Sequence, residues 1–333
     1  MNWDKGFEAT YYAMVVDKNS WRDLERFEIL GGEISRTGGE LRESANIDCI
    51  SYDKGEQWIR IWMDVRQNGA AEHVALFTGL ATSPADDIDG SVTRNTLECY
   101  SVLKPAQDVL LPRGWYASSG ATGTVVINDL LKDVTPAPLE ISEGAPRLKQ
   151  NIIAEDGESN LSMTEKILTA INWRIRITGD GHIQICPKAS RPSLKCSVLE
   201  YDVVEPKLTK GYDWYGCPNV FRAVSGDDSA TAIDDSAYSP LSTVNRGREI
   251  WAEETSCDLN EDETLYEYAE RRLKESQTVA ENVSYDRRFY PDIFVSDIIT
   301  LHYPEKNIDG NYNISSQRIE IGYGAKTTEE AIR

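Results

Sequence analysis

The most constraining feature of the sequence is a series of short segments in which apolar and polar residues alternate. In residues 58–65, Ile59, Ile61 and Val65 fall on one side of an extended chain, and Arg60 falls on the other. Five more segments have this strand-like character: residues 7–15, 26–36, 43–52, 73–80 and 93–102. Six short strands at this spacing predict an antiparallel sandwich or barrel over residues 1–105.

Two tryptophans of the clearest strand lie on the side opposite the isoleucines. Trp58 and Trp62 flank Arg60 on that second side. We favour a second buried face for these residues. The alternative is a subunit interface, where tryptophan is enriched.

Residues 106–200 have a different pattern, which predicts an α+β insert made of two helices and a hairpin. Residues 124–132 carry apolar side chains at helical spacing. Ser162 and Glu165 match a capping box and predict the start of a second helix. Residues 173–185 alternate on both sides of Gly179-Asp180-Gly181, as in a hairpin with its turn.

Residues 201–325 predict a second β domain with one helix. A polar loop is expected over residues 226–242, and a helix capped by residues 260–263 is expected to run to residue 277. Strands follow at residues 283–289, 293–302 and 313–321, with a turn at 304–310. Residues 326–333 are expected to be a flexible tail. The predicted fold class is α+β, mainly antiparallel β.

The charge of the chain excludes one broad class of function. The protein has 333 residues and a formal net charge of -20. Such a chain repels nucleic acid phosphate and anionic membranes, so specific nucleic acid binding is not expected. The N-terminus has no apolar signal-peptide core, and no apolar run is long enough to span a membrane. The sequence therefore predicts a protein made and folded in the cytoplasm, without membrane insertion.

No pattern of residues predicts catalysis or a bound cofactor. The three histidines, His73, His182 and His302, are singly placed, and structural or surface roles are expected for them. The motifs of zinc peptidases, nucleophile elbows, P-loops and dinucleotide-binding loops are absent from the sequence. Six cysteines occur without a C-x-x-C pair, so reduced thiols are expected: Cys49, Cys99, Cys186, Cys196, Cys217 and Cys257. We therefore assign no catalytic, cofactor-binding or metal-binding residue.

Acidic residues are concentrated in the loop expected over residues 226–242. Asp227, Asp228, Asp234 and Asp235 have oxygen ligands that suit a hard cation. A solvated loop followed by a helix start that favours acidic residues is the preferred interpretation. Whether this loop binds a cation stays open, and a third possibility is that these acids face a pore.

The segments taken in order resemble the baseplate hub family of phage tails. This family includes hubs of contractile phages, tailocins and the hub part of type VI secretion spikes. The resemblance covers nearly the whole chain and depends on pattern, without a catalytic signature. It is carried by residues 29–37, 43–47 and 77–79, by the helix from Ser162 with its hairpin, and by residues 262–273, 289–293, 295–299 and 309–314.

The resemblance implies two similar tube domains in each subunit, with the insert between them. Three subunits would then form a pseudo-sixfold ring between the tail tube and a trimeric central spike. The implied partners are copies of this chain, the spike, the tail tube or distal tail protein, the tape-measure protein and other baseplate proteins. The implied location is the virion tail baseplate, assembled in the bacterial cytoplasm. An acidic lumen would let DNA or the tape-measure protein pass without sticking.

Two other classes of function remain as alternatives. A receptor- or carbohydrate-binding tail module would use the eight tryptophans and sixteen tyrosines as stacking platforms. A glycan hydrolase would need two convergent carboxylates, which sequence spacing does not reveal. The first would show an exposed aromatic groove, the second a deep acidic pocket, and the hub a ring of subunits.

Overall fold

The computed structural model describes the chain except residues 4, 51, 53, 90, 91, 189–193, 200–202, 226, 227, 256–263, 278 and 292. Mainly antiparallel strands make up the fold, with a few short helices. The predicted fold class is therefore confirmed. The chain divides into two compact units: Met1–Leu208 with Ser284–Ala331, and Thr209–Val283 with Ile332–Arg333.

The first six strands form a closed antiparallel barrel. The strands are β1 (Glu8–Val16), β2 (Asp23–Thr37), β3 (Glu43–Ile50), β4 (Gln57–Gln67), β5 (Ala70–Asp89) and β6 (Val92–Ser101). They are ordered β1-β4-β5-β6-β3-β2, and β1 also pairs with β2, which closes the ring. This closure pairs the two outer strands of the sheet with each other over residues 12–16 and 23–28. The prediction of six strands is confirmed, although β5 continues well beyond residue 80.

The alternation in β4 decides which side chains fill the barrel. Ile59, Ile61, Met63 and Val65 are buried inside it. Because neighbouring residues of a strand point to opposite faces, Trp58 and Arg60 lie outside the barrel. Both are nevertheless buried, because the insert covers them. The predicted second buried face is confirmed for Trp58, whereas Trp62 is only partly buried.

The insert contains a small three-stranded sheet and packed helices. Its elements are α1 (Lys104–Asp108), β7 (Tyr116–Ala117), α2 (Gly123–Leu131), β8 (Leu139–Ile141), β9 (Ile152–Ile153), α3 (Asn160–Ile171), β10 (Trp173–Ile177) and β11 (Ile183–Pro187). The hairpin β10–β11 is confirmed, and β8 adds a parallel strand that the sequence pattern did not predict. The capping box at Ser162 is wrong. The side chain of Ser159 caps α3 by accepting from the Ser162 backbone N–H, so the helix starts earlier.

A second set of six strands repeats the strand order of the barrel. These strands are β12 (Leu194–Leu199), β13 (Val203–Asp213), β17 (Ala280–Arg287), β18 (Ile298–Tyr303), β19 (Ile308–Ile321) and β20 (Thr327–Ile332). Their order is β12-β18-β19-β20-β17-β13. Numbered from one to six within each set, both sets have the order 1-4-5-6-3-2. One difference is that β12 and β18 are parallel, whereas β1 and β4 are antiparallel.

One long strand joins the two sets into a continuous sheet. The first half of β19 pairs with β18, and its second half pairs with β2 of the barrel. A short 3-10 turn, Pro304–Lys306, connects β18 to β19. The predicted flexible tail over residues 326–333 is wrong, because β20 carries the buried side chains of Thr327, Glu329 and Ala331.

Most of the second compact unit, residues 214–279, is an insertion between strands β13 and β17. It contains β14 (Val220–Ser225), β15 (Asp228–Ile233), α4 (Thr243–Arg246), β16 (Trp251–Thr255) and α5 (Leu265–Ser276). Phe221, Ala223 and Ala232 of its three-stranded sheet pack against Tyr268 and Leu273 of α5. The sequence pattern predicted a single domain over residues 201–325 and did not predict this separate unit within it.

Two local predictions in this unit need correction. The polar loop expected over residues 226–242 contains strand β15, whose Ala232 is buried in the core of the unit. The helix cap expected at residues 260–263 lies outside the described residues. In the structure, Thr264 and Glu267 form a capping box at the start of α5.

Candidate functional site

The turn of the β10–β11 hairpin packs directly against the backbone and side chains of barrel strand β5. A Cβ atom on Gly179 would lie 1.8 Å from the Ala75 carbonyl oxygen. One on Gly181 would lie 2.7 Å from the Thr78 Cβ, and Gly181 also has a positive φ. Glycine is required at both positions, because any side chain would push the insert away from the barrel.

Hydrogen bonds to the carbonyls of this turn fix the insert on the barrel. The Thr78 hydroxyl donates to the Gly179 carbonyl at 2.8 Å. The Asp180 carbonyl accepts from the Trp21 indole and from the Arg60 guanidinium, each at 3.0 Å. Arg60 is held in turn by Asp23 at 2.6 Å. This joint explains why an arginine is buried on the outer face of β4.

A row of carboxylates crosses the continuous sheet on the face opposite the barrel core. Glu98, Asn46, Glu33 and Glu320 are cross-strand partners on β6, β3, β2 and β19. Glu33 and Glu320 are directly opposite, a like-charge pair that destabilises a sheet. Arg318 relieves part of this repulsion by donating to Glu33 at 2.7 Å. We call Glu98, Glu33 and Glu320 the carboxylate row.

A fully buried carboxylate organises the polar core of the second strand set. Glu329 accepts from the Arg287 Nε and Nη2 atoms at 2.6 Å each, and from the Tyr285 hydroxyl at 2.6 Å. Gln317 donates a fourth hydrogen bond at 2.7 Å. Arg287 and these hydrogen bonds hold the pKa of Glu329 below its ordinary value, despite burial. With its hydrogen bonds satisfied inside the core, Glu329 is a structural group.

A buried contact between Arg36 and Glu43 closes the end of the β2–β3 hairpin. Arg36 Nε lies 3.6 Å from a Glu43 carboxylate oxygen, and Arg36 also donates to the Leu76 carbonyl at 2.7 Å. Among the described residues, the other Glu43 oxygen has no hydrogen-bond partner. Burial raises the pKa of Glu43 to about 8, and Arg36 only partly opposes this rise. The Glu43 carboxyl is therefore mostly protonated at neutral pH.

Each histidine pairs with an acidic residue on a neighbouring strand or hairpin. His73 contacts Asp64 at 2.6 Å, and His302 contacts Asp309 at 3.0 Å. His182 contacts Glu140 at 2.7 Å. The structure does not bring the three histidines together, since each has its own separate partner.

The acidic residues expected to be candidate cation ligands have other contacts. Asp234 accepts from the Ser236 backbone N–H at 3.2 Å, from the Ser239 hydroxyl at 2.5 Å and from Gln277 at 2.9 Å. It therefore anchors a loop to the end of α5. Asp228 begins β15, and Asp227 lies outside the described residues.

Neither metal binding nor membrane crossing is indicated by the described part of the chain. Within it, no group of three or more His, Cys, Asp or Glu side chains could hold a metal ion. Its helices are also too short or too polar to span a bilayer. Among the described residues, Cys49, Cys99, Cys186, Cys196 and Cys217 are not joined in disulfides, and Cys257 lies outside these residues.

The sequence did not predict the carboxylate row or the contact between the β10–β11 turn and the barrel. Glu33, Glu98 and Glu320 are far apart in the chain, and only strand register places them in one row. The signal at Gly179 was visible as a turn, but the contact with Ala75 requires the tertiary fold. The one sequence feature that indicated this contact was the pair Trp58 and Arg60, two large side chains on the outer side of a strand.

Comparison with known proteins places the fold among phage tail proteins. No protein-family model and no curated protein matches the sequence. The 43 kDa tail protein of prophage MuSo2 from Shewanella oneidensis has a similar structure, with a TM-score of 0.68 and 12% identity over 98% of this chain and 97% of that one. A tail protein from Neisseria meningitidis MC58 also has a TM-score of 0.68 and 12% identity, over 97% of each chain.

A third similar structure comes from a secretion system. It is Escherichia coli c3393, described as a component of the type VI secretion system with structural similarity to T4 bacteriophage tail proteins gp27 and gp5. Its TM-score is 0.50 with 9% identity, over 92% of this chain and 73% of that chain. At these identities the likeness shows the fold. The resemblance to phage tail hubs is confirmed at that level.

Proposed function

We propose that this chain is the structural baseplate hub of a phage or tailocin tail. In this role three copies form a ring that joins the tail tube to the central spike. The observation that carries the proposal is the repeated strand order of the two six-stranded sets. Three copies would present six similar sets around one axis, which suits a sixfold tube at one end and a trimeric spike at the other.

The similar structures support a tail protein over an enzyme. Two of them are tail proteins matched over nearly their full length. A third is a component of the type VI secretion system that is itself described as structurally similar to T4 tail proteins. The polar groups most deeply buried, such as Glu329 and Arg287, are engaged in the core. Both observations support the proposed structural role without catalysis.

The carboxylate row supports an assignment of the channel wall. It lies on the face of the sheet that continues from the barrel into the second strand set. Facing a lumen, its negative charge would repel DNA and keep a passing polymer from sticking. We propose that this face lines the channel through which DNA or the tape-measure protein passes.

The proposed location defines the partners. The hub would contact the tail tube or distal tail protein on one side and the spike on the other. The tape-measure protein and other baseplate proteins would contact the ring during assembly in the bacterial host cytoplasm. The insert is fixed to the barrel by its hairpin turn, and it would lie on the outside of the barrel in each subunit.

Native mass spectrometry of the purified chain, alone and with the neighbouring spike protein, tests the hub assignment. We expect a trimer, either alone or on addition of the spike. A persistent monomer that binds no spike at any concentration would contradict the proposal. In that case a glycan-binding assay would test the receptor-binding alternative directly.

A further inference from the structure

Exposed aromatic side chains are concentrated in the inserted unit, residues 209–283. Among the described residues, eight tyrosines and tryptophans are exposed, and six of them lie in this unit. The six are Tyr212, Trp214, Tyr215, Tyr238, Trp251 and Tyr266, and the other two are Tyr116 and Tyr323. Since exposed aromatic surface is costly in water, such a concentration marks an interaction surface.

Most of the unit lies outside the repeated sheet, since only residues 209–213 and 280–283 belong to its strands. It is inserted between the second and third strands of the second set, β13 and β17. In the first set the same connection, β2 to β3, is only residues 38–42. The unit has its own core between its sheet and α5, so it is an added module.

Three of these aromatic side chains lie on loops that are held together around α4. Arg246 donates to the carbonyls of Trp214 and Cys217, at 2.7 Å each. Asn245 donates to the carbonyls of Ala237 and Ser239, at 3.0 and 2.8 Å. These bonds order the loops in advance, which lowers the entropic cost of binding.

We call Trp214, Tyr215, Tyr238, Arg246 and Arg248 the aromatic loop cluster. The Tyr238 side chain is 98% exposed and that of Tyr215 is 79% exposed. The Arg248 guanidinium lies 5.5 Å from the centre of the Tyr215 ring. Tryptophan, tyrosine and arginine are the residues that carry most binding energy at protein interfaces.

The charge of the cluster is opposite to that of the chain. Within the described part of the chain, neither Arg246 nor Arg248 forms an ion pair with a carboxylate. The nearest acid in sequence, Glu249, accepts from the Trp251 indole at 2.9 Å. The whole chain has 55 acidic against 35 basic side chains, so acidic side chains predominate among the charged groups that a second copy can present to these arginines.

We propose that the aromatic loop cluster binds an acidic surface of a second copy of this chain. This inference rests on the proposed ring of subunits and names one of its contact surfaces. The aromatic rings supply the buried area, and the two arginines supply charge complementarity and orientation. Raised salt would weaken the contact, because exposed charges are screened.

Two substitutions and two matched controls test this surface. Tyr238→Ser and Arg248→Gln remove an exposed ring and an unpaired charge of the cluster. Tyr266→Ser and Arg222→Gln remove an exposed ring and a positive charge elsewhere in the unit. Arg222 pairs with the Glu253 carboxylate and lies 5.8 Å from the Trp251 ring, so it controls for loss of charge near an exposed aromatic side chain. All four sites are on the surface, so folding should be preserved, and circular dichroism checks this.

Self-association is measured by sedimentation equilibrium and native mass spectrometry, with the spike added if it is needed for the trimer. We expect roughly tenfold or greater weakening for each cluster variant and near wild-type association for each control. Cluster variants that associate as tightly as the wild type would overturn the inference and leave the hub proposal standing. A wild-type chain that never associates, with or without spike, would overturn both.

Discussion

Replacing the buried carboxylate of Glu329 by an amide should destabilise the protein strongly. Glu329 is 0% exposed and accepts four hydrogen bonds, two of them from Arg287. In Glu329→Gln one acceptor oxygen becomes an N–H2 group that faces other donors. Removing one partner of a buried ion pair leaves an uncompensated charge and costs about 3–5 kcal/mol. We expect a loss of that size at pH 7.

The effect of Glu329→Gln should depend on pH in a defined direction. Arg287 and the other donors hold the pKa of Glu329 below its ordinary value of 4.5. A lowered pKa contributes stability that is present above pH 4.5 and lost as pH falls through the folded-state value. The glutamine does not titrate, so the difference between the two proteins should shrink on acidification below pH 4.5.

Hydrogen exchange measured by mass spectrometry can report on the strands around Glu329 separately from the inserted unit. Peptides from Ser284–Ala331 give the opening free energy of the strands that surround Glu329, even if the inserted unit opens independently. Glu330→Gln is the matched control, since Glu330 is exposed on the same strand and accepts from the Ser316 hydroxyl at 3.0 Å. We expect the control to change stability by less than about 0.5 kcal/mol. A change below about 1 kcal/mol for Glu329→Gln would refute the reasoning.

Three further changes test other parts of the structure. Burial raises the pKa of Glu43 to about 8, so the protonated Glu43 side chain stabilises the folded state fully below pH 4.5, and this stability is lost as pH rises through 8. In urea unfolding, the wild type should lose about 1.4 kcal/mol of stability per pH unit between pH 4.5 and 8, relative to Glu43→Gln. Parallel stability profiles of the two proteins over this pH range would contradict the expectation. Gly179→Ala places a methyl group against the Ala75 carbonyl and should cost about 1–3 kcal/mol in thermal unfolding, while Gly38→Ala, with nothing near its Cβ, should not lower stability. Glu320→Gln removes one member of a like-charge pair and should stabilise the chain by roughly 0.2–1 kcal/mol at low salt, a gain that should vanish at 1 M salt if charge is its cause.

Strand positions were largely readable because they depend on local alternation. Ile59, Ile61 and Val65 recur at every second position, and any extended chain places such residues on one face. The β10–β11 hairpin was equally readable, since its turn residues and both arms are adjacent in sequence. The helix starts were less accurate, because several serines and acids near Ser159 and Thr264 could each serve as a cap.

The predictions of a polar loop over residues 226–242 and of a flexible C-terminal tail were wrong for a related reason. Residues 327–332 look like a polar tail, but Glu329 is buried because Arg287 and Tyr285 satisfy it from another strand. Asp228 and Asp234 look like part of a loose loop, but β15 pairs with β14 and Asp234 anchors α5. Composition alone does not reveal a partner supplied by a distant strand.

The sequence by itself determined the strand-rich class, the faces of individual strands and the acidic charge of the chain. These properties follow from period-two alternation and from composition, which are local or additive. Only the tertiary structure decided that the two strand sets share one order, and that Glu33 and Arg318, 285 residues apart, meet where β2 pairs with β19. Strand pairing uses backbone hydrogen bonds, which are the same for nearly every residue, so the choice of partner depends on packing of the whole chain.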